Sequence, residues 1–310
     1  MSDTTYQIGV AKVDITPDFP VRLSGYGGRR TESDGVAQRI WAKALAIRTE
    51  TEGAAVLLTV ENCGVPDAMT ERVAAQLKEK AGILRERFVV CSTHSHTAPC
   101  LSGVLPTLFG QPIPAEHQVN IDRYTQELTH KMEEVALAAL ADLRPGTLAW
   151  GEGRVEFANN RRTQGGPVDH ALPVLRATGT DGELRAILAS YACHCTTLGG
   201  DFNHVCGDWA GYAQDYIEAD YPGVIAMVAI GCGGDANPAP RTGLNFARQH
   251  GHEIAAEVNR LLGTDLTSIQ SKLNGRVKRI DLPFDKLPTR EEWEERVKGG
   301  GAIGYHAQMQ

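Results

Sequence analysis

Short apolar runs alternate with segments of helical spacing along the first part of the chain. Residues 54–60 (AAVLLTV) and 88–92 are apolar runs of buried-strand length, and the preceding segment 43–48 also has strand character. Between these runs, apolar residues recur at helical spacing over 67–80, and Gly82 follows as a stop signal. The pattern predicts the order hairpin, helix, strand.

The same order of elements returns in the second part of the chain. Segments 173–177 and 183–192 flank Thr180-Asp181-Gly182, which is a hairpin turn signal. Residues 208–219 predict a helix, and the apolar run 224–230 (VIAMVAI) predicts a buried strand. The two parts share no obvious residue identity. The repeat is therefore one of element order, and we interpret it as two hairpin-helix-strand halves.

Three further helices complete the prediction. Residues 124–143 and 245–262 carry apolar stripes at helical spacing, and the charge-dense segment 286–299 predicts an exposed helix. Strands and helices mix throughout the chain. The predicted fold class is therefore α/β, in a mixed α+β arrangement with two mixed β-sheets and flanking helices.

Length and composition limit the class of protein. A chain of 310 residues is long enough for one large domain, and we expect two lobes at about 1–145 and 146–285. The net charge of −7 argues against nucleic acid as a partner. No apolar run approaches the roughly 20 residues of a transmembrane helix, and residues 1–7 show no secretory signal. The seven cysteines lack disulfide-type spacing, which predicts a cytoplasmic protein; the oligomeric state stays open.

Residue types that bind metals concentrate in loops after the predicted strands. The sharpest signal is His94-Ser95-His96, directly after the strand 88–92. Residues two apart on extended backbone point the same way, so both imidazoles could face one metal ion or one substrate. The alternative is a pair of loop histidines that only make hydrogen bonds.

Three other sets of residues are candidates for chemistry. In Cys193-His194-Cys195, we expect two small buried thiols on either side of one functional histidine, because His194 points away from both on a strand. Cys63 and Cys232 are alternative nucleophiles, although free cysteines are usually just buried. The guanidinium of Arg161 could hold a carboxylate or carbonyl, or could belong to a solvated basic turn.

Five motifs in chain order resemble the catalytic N-terminal domain of the neutral/alkaline non-lysosomal ceramidase family. They are 13–17 (VDITP), 92–99 (STHSHTAP), 160–162 (NRR), 194–199 (HCTTLG) with 207–208 (GD), and 234–238 (GDANP). The resemblance spans about residues 8 to 260. It implies a hydrolase of an amide bond that uses one zinc ion, held by two histidines, a glutamate and a tyrosine.

The resemblance also implies roles for individual residues. His94 and His194 match the two zinc histidines of the family. His96 matches the group that contacts the substrate or the developing oxyanion. Arg161 matches the arginine at the acyl or carboxylate end of the substrate.

The chain departs from the family pattern in three respects, one of which is that the secreted enzymes carry export signals and residues 1–7 show none. The 234–238 motif adds Asp235 and Asn237 to the candidate catalytic residues, but Asn237 stands where the family has a serine proposed to take part in catalysis. The zinc glutamate and tyrosine are not located before Gln310. We therefore expect a domain that is incomplete at its C-terminus, with Asp208, His204 and Asp235 as the places to look for a third ligand.

These observations predict a zinc-dependent hydrolase of an amide (N-acyl) C–N bond. The substrate would be a small-molecule or lipid amide, either ceramide or a smaller polar amide. Asparagine cannot act as an activated nucleophile, so water is the expected nucleophile. The alternatives are a metal-dependent enzyme on a sugar-like or hydroxy-acid substrate, and a non-catalytic binding protein whose site has decayed.

Overall fold

The computed structural model describes residues 6–49 and 51–310 and contains two similar halves. The first half consists of β1 (Tyr6–Asp14), β2 (Gly35–Val36), β3 (Trp41–Thr49), β4 (Gly53–Val60), α1 (Asp67–Ala81), a 3-10 turn (Arg85–Arg87), β5 (Phe88–Ser92) and α2 (Ala115–Ala141). The second half consists of β6 (Arg144–Arg154), β7 (Ala158–Asn160), β8 (Ala171–Gly179), β9 (Leu184–Tyr191), β10 (His204–Val205), α3 (Asp208–Asp220), β11 (Ile225–Ile230), β12 (Ala236–Pro238) and α4 (Leu244–Leu262). The segment after α4 adds β13 (Thr267–Ser268), α5 (Arg290–Lys298) and α6 (Gly301–Gln308).

The large sheet repeats one arrangement about its centre. Its strand order is β11-β9-β8-β6-β1-β3-β4-β5, with β13 beside β6. The pairs β4–β5 and β9–β11 are parallel, and the other pairs are antiparallel. Each half therefore has three strands paired antiparallel, β1-β3-β4 in the first and β6-β8-β9 in the second. A fourth strand, β5 or β11, pairs parallel at the outer edge. The α/β class and the repeated element order are confirmed.

The sheet doubles over, so that its two halves pack face to face. Alternate residues of each strand point to opposite faces. On β3, Ala44 packs in the core under α1 and α2, whereas its neighbour Leu45 shares a core with Leu148 and Met227 of the second half. On β11, Val228 packs under α3 and α4. The two sheets expected from the sequence are thus the two layers of one continuous sheet, each covered by its own pair of helices.

Pairing of β1 with β6 joins the halves, and the sequence pattern predicted neither strand. The described register runs from Tyr6 opposite Gly146 to Ile8 opposite Arg144. Pro145 and several glycines are typical of loops, so the composition of β6 does not indicate a strand. Close packing requires one of these glycines, because a Cβ on Gly146 would lie 2.5 Å from the carbonyl oxygen of Thr178.

A buried lysine provides a second link between the halves. Lys43 on β3 is 1% exposed, and its Nζ donates a hydrogen bond to the carbonyl oxygen of Ala226 on β11 at 2.9 Å. The same ammonium forms an ion pair with Glu218 of α3 at 2.8 Å. Lys12 also pairs with Glu218, from the exposed side, at 2.6 Å.

The helices were predicted with different accuracy. The observed α1 and α4 lie within one residue of the predicted bounds, and α5 is the exposed helix expected from charge. By contrast, α2 begins at Ala115, nine residues before the predicted start. None of the helices among the described residues is long and apolar enough to cross a lipid bilayer.

Candidate metal centre

The loops that follow β5 and β9 meet at one end of the doubled sheet. Ser95 forms a parallel bridge with Cys195, and the backbone N–H of His96 donates to the carbonyl oxygen of Cys195 at 3.2 Å. These contacts place the His94-Ser95-His96 segment of the first half beside His194 of the second half. The site is therefore built from both halves.

Three imidazole rings form a cluster where these loops meet. Ring centroids lie 4.5 Å apart for His94 and His194, 4.8 Å for His94 and His96, and 5.6 Å for His96 and His194. The Nε2 atoms of His94 and His96 lie 3.2 Å apart. The fold thus brings together the three histidines that the sequence pattern selected.

His94 is held by a strained backbone and one carbonyl group. The φ of His94 is 57°, in the left-handed region. The residue therefore lies in a turn, and the extended backbone expected for His94-Ser95-His96 is wrong at this position. Its Nδ1 lies 2.6 Å from the carbonyl oxygen of Cys63. A carbonyl oxygen only accepts, so Nδ1 carries the proton and Nε2 keeps a free lone pair.

His194 is held in the same way in the second half. Its Nδ1 donates to the carbonyl oxygen of Gly233 at 2.7 Å, which again leaves the lone pair of Nε2 free. Burial lowers the pKa of His194, because the charged form loses hydration. The ring is therefore neutral near pH 7 and able to act as a ligand.

His96 is held by packing on the loop between β1 and β2. Its ring meets the edge of Tyr26 at a centroid distance of 5.2 Å and lies against Gly25. Burial, with help from the neighbouring His94 and His194, lowers the pKa of His96 to about 3. His96 is therefore a neutral imidazole that can accept or donate a hydrogen bond.

The donor set fits a zinc ion. The rings of His94 and His194 lie with their centroids 4.5 Å apart, and the backbone holds each of them by Nδ1, so the two rings are placed to share one metal ion. Carbonyl groups that accept from the second ring nitrogen, as for His94 and His194, are the usual support of metal-binding histidines.

Cys63 completes a possible metal-binding group with His94 and His96, whose potential ligand atoms all lie within 4.8 Å of one another. Its Sγ lies 3.9 Å from Nδ1 of His94, the nitrogen that faces away from the imidazole cluster. Burial raises the pKa of the Cys63 thiol, which disfavours the thiolate that a metal requires. The thiol is therefore the weakest donor of this group, to which His194 does not belong.

The other candidate residues surround the cluster on the side of the second half. The Nη2 of Arg161 donates to the carbonyl oxygen of Gly234 at 2.8 Å, next to the residue that holds His194. Asp235 accepts from Asn160 at 3.1 Å, and Asn237 accepts from the hydroxyl of Thr196 at 3.1 Å. Arg161 and Asp235 are exposed, whereas Asn237 is half-buried.

Three acidic or histidine positions considered for a third ligand serve other purposes. Both carboxylate oxygens of Asp208 accept backbone N–H groups, from Leu198 and Trp209. His204 pairs with Gly35 in the small β2–β10 sheet. Asp235 is engaged by Asn160, as described above. None of the three belongs to the group of Cys63, His94 and His96 found among the described residues, and neither does His194.

Residues 6–238 match the neutral/alkaline non-lysosomal ceramidase family, over its N-terminal domain. The chain belongs to this family. It is 24% identical to the neutral ceramidase of Pseudomonas aeruginosa over 94% of its own length and 47% of that protein. Neutral ceramidase B of Dictyostelium discoideum is 24% identical over 68% of the chain and 31% of that protein. The chain thus spans half or less of the length of these relatives.

Solved structures of ceramidases share the fold. A ceramidase complexed with C2 superposes with a TM-score of 0.76 at 22% identity, covering 87% of this chain and 46% of that one. The neutral ceramidase from Pseudomonas aeruginosa superposes with a TM-score of 0.74 at 22% identity, covering 87% and 47%. The recognised resemblance to the ceramidase family is confirmed.

In this ceramidase-family domain, residues around His96 were missed by the sequence analysis. Gly25, Tyr26 and Arg29 all contact His96, and Arg29 donates from Nη1 to its carbonyl oxygen at 2.6 Å. The glycine-rich stretch 25–28 was the available signal, because glycines mark close approach of the backbone to another group.

Proposed function

We propose that the chain is the catalytic core of a zinc-dependent hydrolase that cleaves an amide (N-acyl) C–N bond. The observation that carries the proposal is the convergence of His94, His96 and His194, with Nδ1 of His94 and of His194 held by carbonyl oxygens. Membership of the ceramidase family supports amide hydrolysis as the reaction.

His94 and His194 are the residues proposed to hold the zinc ion. Each has its Nδ1 proton engaged by the backbone, and each comes from a different half of the domain. When bound, the ion would act as a Lewis acid that polarises the substrate carbonyl. The ring of His96 lies between Gly25 and Tyr26, with its Nε2 3.2 Å from that of His94, and we assign it to the substrate: its neutral ring can donate a hydrogen bond to the carbonyl oxygen as negative charge develops there.

The remaining residues bind and orient the substrate. The guanidinium of Arg161, anchored on Gly234, keeps other N–H groups free for a charge-assisted bond to a carboxylate or acyl oxygen. Asn237 and Asp235 border the same loop. The side chain of Asn237 accepts a hydrogen bond and cannot serve as a nucleophile, so water remains the nucleophile in the proposed reaction.

Metal analysis combined with three variants tests this assignment. With zinc added, we expect the chain to take up about one ion per molecule by elemental mass spectrometry, with His94→Ala and His194→Ala each losing most of it. His96→Ala should keep the zinc and lose at least about tenfold in kcat/KM, because it removes a transition-state interaction. The exposed His130→Ala serves as the control. A wild type that takes up no zinc even when the ion is added would instead favour a non-catalytic binding protein.

A further inference from the structure

One short segment, residues 206–209, contacts both loops that carry the histidines. The backbone N–H of Cys206 donates to the carbonyl oxygen of Thr97 at 3.0 Å. The carbonyl oxygen of Cys206 accepts from the hydroxyls of Ser95 at 2.9 Å and of Thr97 at 2.7 Å. Ser95 and Thr97 are fully buried, so no water competes for these bonds. The segment therefore holds the loop of the first half that carries His94 and His96.

The next residues of the segment hold the loop that carries His194. The indole N–H of Trp209 donates to the carbonyl oxygen of His194 at 3.0 Å. A carboxylate oxygen of Asp208 accepts from the backbone N–H of Leu198 at 3.0 Å. Asp208 and Trp209 are the first two residues of α3, so the start of one helix is bonded to both ends of the loop 194–198.

The middle of the segment has no room to move. A Cβ built on Gly207 would lie 2.4 Å from Oε2 of Glu61 and 2.8 Å from Cα of Gly211. The backbone of Gly207 is therefore packed between the end of β4 and the first turn of α3. Close packing of this kind resists displacement, so the segment keeps the two histidine loops at a constant separation.

The indole ring of Trp209 is fixed by its own neighbours. Trp209 is fully buried, and its ring meets Phe157 and Tyr191 edge to face, at centroid distances of 5.4 Å and 5.8 Å. The hydroxyl of Tyr191 in turn donates to the carbonyl oxygen of Val155 at 2.8 Å. The ring cannot rotate without opening this aromatic cluster, so its N–H stays directed at His194.

We propose that Trp209 is a positioning residue of the metal centre, which acts through the backbone of His194. Without the indole N–H, the buried carbonyl oxygen of His194 would lose its side-chain donor. The imidazole of the same residue would then be held less firmly beside His94. The inference rests on the proposed function for the assignment of the histidines to a metal, whereas the contacts of Trp209 are independent of that assignment.

Two replacements at position 209 remove the N–H and keep an aromatic ring. Trp209→Phe is the simple variant, and site-specific incorporation of β-(3-benzothienyl)alanine keeps the bicyclic shape with sulfur in place of the N–H. Competition with a chromophoric chelator measures the zinc dissociation constant of each protein. We expect it to rise at least about tenfold, because loss of an outer-shell partner typically weakens metal binding about 10- to 100-fold.

Tyr124→Leu is the control for a general loss of stability. Tyr124 is buried in the core of the first half, and its hydroxyl donates to the carbonyl oxygen of Ile15 at 3.0 Å. The substitution therefore also removes a buried donor and part of a ring. Urea denaturation verifies that all variants are folded. Tyr124→Leu should lose stability and bind zinc as tightly as wild type.

Nitrogen-15 NMR of the histidine rings in metal-free protein gives a readout that does not depend on zinc. Since Nδ1 of His194 donates to the carbonyl oxygen of Gly233, we expect wild type to show the Nδ1–H tautomer for this ring, assigned by its disappearance in His194→Gln. The replacements at Trp209 should shift both ring signals toward the average of the two tautomers. Tyr124→Leu should leave the signals in place.

The outcomes separate this inference from the proposed function. If wild type binds zinc and the folded replacements at Trp209 bind it equally tightly, or if Tyr124→Leu loses as much affinity, then the inference is overturned and the metal centre stands. If wild type takes up no added zinc, then the proposed function fails and the NMR data decide. A shifted His194 tautomer then supports the positioning role of Trp209, and an unchanged one overturns it.

Discussion

Gly25 lies directly against the imidazole of His96, with no room for a side chain between them. A Cβ built on Gly25 would lie 2.4 Å from Cγ and from Nδ1 of His96, and its φ of 85° is a conformation that favours glycine. We expect Gly25→Ala to push the ring away from His94. The expected result is a loss of at least about tenfold in kcat, together with a strain cost of about 1–2 kcal/mol in unfolding free energy.

Gly64→Ala is the matched control for this variant. Gly64 follows Cys63 near the same site, yet a Cβ there would meet no atom within 4 Å, and its φ is not in the left-handed region. Kinetics and chemical denaturation of both variants give the comparison. Similar effects of the two substitutions would mean that the contact between Gly25 and His96 does not position the ring.

Arg161 and Arg162 are adjacent but differ in what they hold. Arg161 donates from Nε and Nη2 to the carbonyl oxygen of Gly234, whereas the side chain of Arg162 takes part in no hydrogen bond or ion pair in the described structure. Lysine keeps the charge and loses the planar fork. We expect Arg161→Lys to lower kcat/KM at least about tenfold, and Arg162→Lys to have little effect. Equal and small effects of the two substitutions on kcat/KM would mean that both arginines belong to a solvated basic turn.

Removal of Glu218 is expected to leave a buried charge without its partner. Lys43 is 1% exposed, and Glu218 is the carboxylate paired with it. Glu218→Gln should therefore lower the unfolding free energy by about 3 kcal/mol. Adding Lys43→Met to that variant should restore much of the loss, because the unpaired ammonium is gone. Urea denaturation measures both.

The partly exposed partner of Glu218 provides the control. Lys12 has 37% of its side-chain surface exposed, so its ion pair is screened by solvent. Lys12→Met should change the unfolding free energy by about 1 kcal/mol or less. If Lys12→Met were as damaging as Glu218→Gln, the buried link between β3 and β11 would not be the important one.

Stability should depend on pH through Glu61, at the end of β4. Burial raises the pKa of Glu61 from 4.5 to about 8, against the opposing effect of Lys43. A carboxyl with a raised folded-state pKa contributes stability that is complete below its unfolded pKa and is lost as the pH rises through the folded value. We expect Glu61→Gln to gain stability over wild type between pH 5 and 8, at up to about 1.4 kcal/mol per pH unit.

Denaturation curves at several pH values measure this gain. Gln214 donates to Oε1 of Glu61 at 2.9 Å, and an amide oxygen can accept the same bond, so the substitution keeps the local contact. The exposed Glu79→Gln serves as the control, with no change in slope. Parallel curves for wild type and Glu61→Gln would contradict the prediction.

The sequence pattern predicted elements whose apolar residues lie on one face or in one run. The strands 54–60 and 224–230 and the helix 67–80 were recognised because burial shows directly in their composition. The start of α2 was missed because residues 115–123 are mostly polar and exposed, with no apolar stripe. The strand β6 was missed because Pro145 and its glycines, which fit close neighbours in the sheet, read locally as a loop.

The candidate site was predicted in part, for a similar reason. His94, His96 and His194 stand out because metal-binding residue types follow buried strands. The contact of Arg29 with His96 joins positions 67 residues apart through a loop with no regular period, so no local pattern reports it. The left-handed backbone of His94 could not be predicted either, because the residue types His-Ser-His do not indicate a positive φ.

His94 belongs to one layer of the doubled sheet and His194 to the other. A cation shared by these two side chains would act as a removable cross-link between the layers, closing a loop of 100 residues. A ligand that binds the native state alone stabilises it by about 2.7 kcal/mol at one hundred times its dissociation constant. Binding of such a cation would then be coupled to the docking of the two halves and would add to the stability of the closed domain.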